Sequence, residues 1–190
     1  MFAVDASGSA ALQRLGEAKG AVELMLADCY IRRDRVALIA FRGKEAEILL
    51  APTRSLTRAR RALGALPGGG GTPLAAGIDL ARETAELIAR QDETALVVML
   101  TDGGANIARD GSPGRHQAEA DARAAAERLR ARGTRCLLID TSLRPRPLAR
   151  QIAEAMGAVY MALPNADAAS ISLAARALDQ RGQQARAGSR

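Results

Sequence analysis

Apolar positions along the chain follow two patterns, one typical of helices and the other typical of buried strands. Over residues 12–30, Leu15, Val22, Met25 and Cys29 stand at helical spacing. This spacing predicts a helix that packs one face against a core. Further helices are predicted over 55–64, 74–90, 116–132, 148–156 and 166–179.

Short apolar runs lie between the predicted helices. Residues 95–100 read Ala-Leu-Val-Val-Met-Leu without polar alternation, as expected for a parallel strand that helices cover on both faces. Lys44-Glu45 separates two such runs and predicts a hairpin. The predicted strands are 2–5, 35–41, 46–50, 95–100, 135–140 and 158–162.

This alternation predicts an α/β fold: a doubly wound, mostly parallel sheet of about six strands, with one antiparallel edge hairpin strand and helices on both faces. Residues 1–180 are expected to form one domain, and the polar segment 181–190 is expected to be disordered. Only four residues precede Asp5, fewer than the usual five or six of a strand. We therefore expect the chain to be an N-terminally truncated fragment of a longer protein.

Composition narrows the function classes. Hydrophobic residues make up 48% of the chain but aromatic residues only 2%, so the basic residues lack the interleaved aromatic rings that stack on nucleic-acid bases. The net charge of +6 comes mainly from arginine, which favours carboxylate partners; a merely solvated arginine-rich surface is the alternative. No apolar run approaches the length of a membrane span. Cys29 and Cys136 match no zinc or redox spacing and are expected to be buried thiols in a cytoplasmic protein.

Three oxygen-rich segments follow predicted strands or lie in loops. They are Asp5-Ala6-Ser7-Gly8-Ser9, Gly71-Thr72-Pro73 and Leu100-Thr101-Asp102-Gly103. Ligands of doubly wound sheets bind beyond the carboxyl ends of the strands, where these segments can meet. Two carboxylates and three hydroxyls suit Mg²⁺, which prefers oxygen ligands in octahedral geometry. Taken singly, each segment could instead be a helix cap, a helix start or a turn.

The set Asp5, Ser7, Ser9, Thr72 and Asp102 resembles the metal-ion-dependent adhesion site of von Willebrand factor A, or integrin I, domains, and the resemblance covers essentially the whole chain. It implies that Ser7 and Ser9 bind the metal directly. Thr72, Asp5 and Asp102 would bind it directly or through water. An open coordination position would then attract a carboxylate of a partner protein.

A narrower resemblance is to the magnesium chelatase D subunit, carried by residues 68–73, 97–111, 138–142 and 153–157. That family commonly has a basic residue where Gly104 stands. The resemblance implies a non-catalytic interaction domain within a magnesium chelatase (ligase) complex. The domain would scaffold the AAA+ I subunit and couple it to the porphyrin-binding H subunit during ATP-dependent Mg insertion into protoporphyrin IX, in (bacterio)chlorophyll biosynthesis and photosynthesis. Candidate contacts to an acidic partner residue are Arg109, Arg115, Arg144 and Arg146.

Two other interpretations remain open from the sequence. The domain could partner another AAA+ ATPase, of the cobalt chelatase or MoxR-like kind. It could also be a Mg-dependent phosphoryl-transfer enzyme with Asp5 as the nucleophile, although Ser7 stands where haloacid-dehalogenase-type phosphatases place a second Asp. His116 is expected at the surface or in a cap. The Gly68–Thr72 segment lacks the Lys-Ser/Thr ending of a P-loop.

Overall fold

The computed structural model describes residues 1–7, 22–66, 68–142, 144–145, 147–163, 170 and 173–178. In chain order the elements are β1 (Phe2–Asp5), α1 (22–31), β2 (Val36–Arg42), β3 (Glu45–Thr53), α2 (Leu56–Gly64), α3 (Leu74–Ala89), β4 (Leu96–Thr101), α4 (Arg115–Ala131), β5 (Arg135–Asp140), α5 (Pro147–Met156) and β6 (Val159–Ala162), followed by a helical segment over 173–178. Each predicted strand is present, and β3 is longer than the predicted 46–50. Ser9, Arg146, the start of the first predicted helix and the segment 181–190 lie outside the described residues.

The described strands form one six-stranded sheet in the order β3-β2-β1-β4-β5-β6. Only the β2–β3 hairpin is antiparallel; the other neighbouring pairs are parallel. The doubly wound, mostly parallel sheet predicted from the sequence is therefore confirmed. From β1 the chain first builds β2 and β3 on one side and then β4, β5 and β6 on the other. The reversal lies between β1 and β4, and such a reversal opens a crevice at the carboxyl ends of the two strands.

Successive strand residues point to opposite faces of the sheet, which divides the core in two. On one face Val4, Leu38 and Leu100 pack with α1 and α2. On the other face Ile39 and Met99 pack with α3, α4 and α5. The second layer is built largely from alanines, and small side chains let helices approach the sheet closely. This close approach of helices and sheet fills a core that has almost no aromatic side chains.

Three arginines form ion pairs with one aspartate of α3. Asp79 of α3 receives ion pairs from Arg82, Arg109 and Arg128. Its carboxyl is partly buried, and desolvation raises its pKa although the arginines oppose the shift. Arg128 therefore joins α4 to α3, and Arg109 joins the loop between β4 and α4 to the same helix.

The two thiols are both free, and their environments differ. Cys136 of β5 is buried, as predicted, and burial raises the pKa of its thiol to about 12. Cys29 was expected to be buried but is half-buried, because it lies near the end of α1. No helix within the described residues is long and apolar enough to cross a membrane.

Candidate metal site

The first part of the site is a tight turn at the end of β1. Asp5 is the last residue of the strand and is 7% exposed. The backbone N–H of Ser7 and its hydroxyl both donate to Asp5 Oδ1, at 3.0 and 2.6 Å. An acidic side chain that accepts from the residue two positions on stabilises a turn. The turn leads the chain out of the sheet with the carboxyl group and the Ser7 hydroxyl side by side.

The second part is the glycine-rich loop before α3. Thr72 is almost buried, and its Oγ1 donates to Ser7 Oγ at 2.6 Å. The loop runs close to the β2–β3 turn, since a Cβ on Gly71 would lie 2.9 Å from the Gly43 carbonyl oxygen and 2.5 Å from the Ile107 side chain. The absence of a side chain at 71 therefore allows Thr72 to reach Ser7. Pro73 stands at the N-cap of α3, so the segment also begins a helix.

The third part is the loop after β4. Thr101 Oγ1 donates to Asp5 Oδ2 at 3.1 Å and accepts from the Gly103 N–H at 3.1 Å. Asp102 is partly exposed, and its Oδ1 accepts from the Gly104 N–H at 2.8 Å. Thr101 therefore continues the chain of hydroxyls around Asp5, while Asp102 stands beside it as a second carboxylate.

Electrostatics at the site disfavour a bare Asp5 carboxylate. Burial is the largest cause and raises its pKa to about 6. The negative charge of Asp102 raises the pKa further, while hydrogen bonds from Ser7 and Thr101 oppose the rise. A buried carboxyl beside a second acid is an arrangement that a cation stabilises.

The chemistry of the donor set fits a hard divalent cation. Every donor is an oxygen, and two carboxylates balance the charge of a dication while hydroxyls add ligands without charge. Within the described part of the chain, no group of three or more His, Cys, Asp or Glu side chains is placed to hold a metal. A cation at this site would therefore depend on the hydroxyls of Ser7 and Thr72.

Four of the five predicted ligands lie in this region, and Ser9 is outside the described residues. Asp5, Ser7 and Thr72 are joined by hydrogen bonds, and Asp102 influences Asp5 through its charge. Their role as metal ligands stays a prediction.

Among the predicted partner contacts, Arg115 and Arg144 are exposed. Arg109 forms an ion pair with Asp79 at 2.5 Å and keeps a half-exposed side chain. Its backbone N–H also donates to Asp121 of α4 at 2.8 Å. Arg146 lies outside the described residues. Whether any of these arginines contacts a partner stays a prediction.

Sequence reasoning assigned no role to Thr101 or Asn106. Thr101 completes the hydrogen bonds of Asp5. Asn106 Oδ1 accepts from the Thr72 N–H at 2.7 Å, across 34 residues of sequence. Neither residue carried a spacing signal of its own, since threonine is common in strands and asparagine in turns.

The local geometry of Asp5 is repeated at the end of β5. The Ser142 N–H and hydroxyl both donate to Asp140 Oδ1, at 2.9 and 2.5 Å. The other oxygen of Asp140 accepts from the Tyr160 hydroxyl at 2.6 Å, and Asp140 is fully buried. Within the described residues, no hydroxyl donates to Ser142 as Thr72 donates to Ser7, so the two serines form a matched pair that differs in its surroundings.

The sequence matches a domain family and is similar to named bacterial proteins. The profile of the von Willebrand factor type A domain matches residues 1–105. The chain is 54% identical over 172 residues to the magnesium-chelatase 60 kDa subunit of Cereibacter sphaeroides, covering 90% of this chain and 31% of that protein. It is 51% identical over 168 residues to the Rhodobacter capsulatus protein of the same name, covering 88% and 30%. The chain thus spans about a third of the length of these relatives.

Solved structures with the same fold are more distant in sequence. The vWF domain of the type V pili tip protein Mfa5 from Porphyromonas gingivalis has a TM-score of 0.75 at 14% identity, covering 94% of this chain and 93% of that one. Manganese-loaded Plasmodium vivax TRAP protein has a TM-score of 0.59 at 17% identity, covering 90% and 70%. At these identities the likeness concerns the fold.

Proposed function

Because the chain belongs to the von Willebrand factor type A domain family, we propose that it is a metal-dependent interaction domain of the magnesium chelatase D subunit. In this role it scaffolds the AAA+ I subunit and couples it to the porphyrin-binding H subunit for ATP-dependent Mg insertion into protoporphyrin IX. The similarity to magnesium-chelatase subunits supports the pathway. The observation that carries the proposal is the run of hydrogen bonds from Thr72 through Ser7 to Asp5, with Asp102 beside it.

Each residue of the site has a defined part in this function. Ser7 and Thr72 offer hydroxyl oxygens that are already 2.6 Å apart. Asp5 and Asp102 supply the negative charge that holds a dication. When bound, Mg²⁺ supplies positive charge and an open coordination position for a carboxylate. One solved structure with this fold, the Plasmodium vivax TRAP protein, is manganese-loaded, which supports a divalent metal at a domain of this kind.

Charge around the site favours an acidic partner. The chain carries a net charge of +6, and Arg115 and Arg144 are exposed on loops or helix starts at the carboxyl side of the sheet. Positive charge at the rim would raise the association rate with an acidic surface, and this contribution would weaken with salt. The docking carboxylate itself belongs to the partner.

Replacing Asp102 with alanine is expected to weaken Mg²⁺-dependent capture of the I subunit by about tenfold or more, because one of the two carboxylates that hold the docking Mg²⁺ is lost. The measurement is a pull-down of the I subunit with Mg²⁺ and with chelator. Asp110→Ala is the matched control, since Asp110 forms the same kind of turn on the same loop by accepting from Ser112. Equal binding by wild type with and without Mg²⁺, or equal losses in both variants, would contradict the proposed function.

The repeated turn supplies a second test. Ser7→Ala is expected to weaken Mg²⁺ binding by about tenfold or more, because even outer contacts of a metal ligand matter on that scale. Ser142→Ala removes the equivalent hydroxyl hydrogen bond, to Asp140, at the other turn and is expected to leave Mg²⁺ affinity unchanged. Isothermal titration of each variant with MgCl₂ gives the affinities. A loss of affinity in Ser142→Ala as large as in Ser7→Ala would show that the effect is structural and not ligation.

A further inference from the structure

Asn106 joins two of the three loops that build the site. Its side-chain Oδ1 accepts from the Thr72 N–H at 2.7 Å, and its own N–H donates to the Thr72 carbonyl at 3.2 Å. Its carbonyl accepts from the Gly114 N–H at 2.9 Å. Ile107, the next residue, is buried against Gly71. The loop after β4 therefore forms hydrogen bonds with both the N–H and the carbonyl of Thr72.

These hydrogen bonds also fix which way the Asn106 amide faces. A backbone N–H requires an acceptor, so the oxygen of the amide must face Thr72 and the Nδ2 group must face away from it. Asn106 is an exposed residue. Within the described residues, no hydrogen bond uses its Nδ2 donors. The two Nδ2 donors of Asn106 therefore face away from the Thr72 N–H, at an exposed position beside the loop that carries Thr72.

We propose that Asn106 is a second contact point of the docking site, which donates from Nδ2 to the partner's docking carboxylate while its Oδ1 holds Thr72 in place. The inference rests on the proposed function, because it needs a carboxylate at the open position beside Ser7 and Thr72. A carboxylate has two oxygens: one can face the cation and the other can accept a hydrogen bond. The ligand class is an aspartate or glutamate side chain of an acidic protein surface.

Substitutions can distinguish the role of Asn106 Oδ1 as an acceptor from that of Nδ2 as a donor. Asn106→Asp keeps an oxygen that accepts from the Thr72 N–H but replaces the donor with negative charge. It is expected to leave Mg²⁺ affinity equal or tighter and to weaken I-subunit binding by about tenfold, the scale of a hydrogen bond to a charged group. Asn106→Ala removes both ends and is expected to weaken Mg²⁺ binding and speed hydrogen exchange at the Thr72 amide.

Gln151→Glu is the control for net charge. It makes the same amide-to-carboxylate change at an exposed position of α5, where Arg123 already donates to the side-chain oxygen at 3.3 Å. This variant is expected to bind both Mg²⁺ and the I subunit as wild type does. If it loses I-subunit binding to the same extent as Asn106→Asp, general charge repulsion explains the result and the role of Asn106 is overturned.

A direct test uses the ¹⁵N-labelled 190-residue chain in MgCl₂, titrated with N-acetylglutamate as the carboxylate probe. The side-chain Nδ2 resonances of Asn106 are expected to shift with Mg²⁺ present and to stay in place with chelator. Shifts at Ser7 and Thr72 without a shift at Asn106 would overturn this inference and leave the proposed function intact. The absence of any Mg²⁺-dependent shift in the site would contradict the proposed function itself.

Discussion

Asp5→Asn is expected to weaken Mg²⁺ binding by about a hundredfold or more and, in the same protein, to stabilise the metal-free fold. The loss of binding follows because one of the two negative charges that balance the dication is removed, and we expect this effect to exceed the 10–100-fold typical of outer contacts. The gain in stability follows because Asp5 is 7% exposed and stands near the charge of Asp102. Asparagine can still accept from Ser7 without carrying charge.

The stability difference between Asp5→Asn and wild type is expected to increase as pH rises. The ordinary pKa of Asp5 is 3.8, and the fold raises it to about 6. Between these values the folded chain keeps a proton that the unfolded chain has released, so the contribution of this group to stability falls as pH rises. Above pH 6 the full penalty applies, at most about 3 kcal/mol from the size of the shift.

Chemical denaturation in chelator is the measurement. At pH 7.5, Asp5→Asn is expected to be more stable than wild type by about 1–3 kcal/mol, and the gap should narrow near pH 5. Asp110→Asn is the control: Asp110 is exposed, its hydrogen bonds from Ser112 lower its pKa, and its loss should not stabilise the fold. A metal-free Asp5→Asn variant less stable than wild type at both pH values would contradict the account of Asp5 as a penalised carboxyl.

A docking site of this kind requires an acidic side chain that lowers the stability of the metal-free fold and is stabilised by a bound cation. A carboxyl that is sealed from solvent offers a cation no access. Asp140 has the same serine turn, but its second oxygen accepts from Tyr160 and it is sealed from solvent. Asp5 instead shares its surroundings with Asp102 at the point where the strand order reverses. The two turns share the Asp-x-Ser pattern. They differ in the place of their strands in the sheet.

The sequence was sufficient to predict the sheet and the edge at which Asp5, Ser7 and Thr72 meet, while the metal site there stays a prediction. Unbroken apolar runs such as 95–100 identified buried parallel strands, and parallel strands bring their carboxyl ends to one edge. Asp5 and Asp102 could therefore be expected near each other although β2 and β3 lie between their strands in sequence. The Asp-x-Ser pattern also occurs at 110–112 and 140–142, so that pattern alone does not single out residues 5–7.

Contacts that depend on loop paths could not be predicted in the same way. Asn106 reaches Thr72 because glycines at 70 and 71 let one loop run against another, and no periodicity records that approach. The pairing of Arg109 with Asp79 depends on how a loop crosses α3. Charge counts predicted a basic surface but not which arginines are held by the protein's own acids.

Helix α5 packs closely against Gly103, in the loop that carries Asp102. Gly103 follows Asp102 and has a φ of +75°, a conformation that side chains other than glycine rarely adopt. A Cβ at this position would lie 2.5 Å from both the backbone N and the Cα of Ala149. Since the obstacle is backbone in the first turn of α5, no side-chain rotation can relieve it. The position of Asp102 is thereby tied to the position of a helix.

Gly103→Ala is therefore expected to destabilise the domain by about 2–5 kcal/mol, combining the strain of a left-handed residue with overpacking against backbone. The folded fraction is expected to bind Mg²⁺ more weakly, because relief of the clash moves Asp102 away from Asp5. Denaturant unfolding and Mg²⁺ titration measure the two effects.

Gly133→Ala separates the two causes, because Gly133 has a similar φ of +66° but nothing within 4 Å of its added Cβ. That control is expected to lose only about 1–2 kcal/mol, the strain alone, and to keep full Mg²⁺ affinity. Equal destabilisation of the two variants would mean that α5 gives way without resistance, and the helix could not then fix the loop that carries Asp102. A larger loss in Gly103→Ala that is accompanied by weaker Mg²⁺ binding would connect the packing of α5 to the geometry of the site.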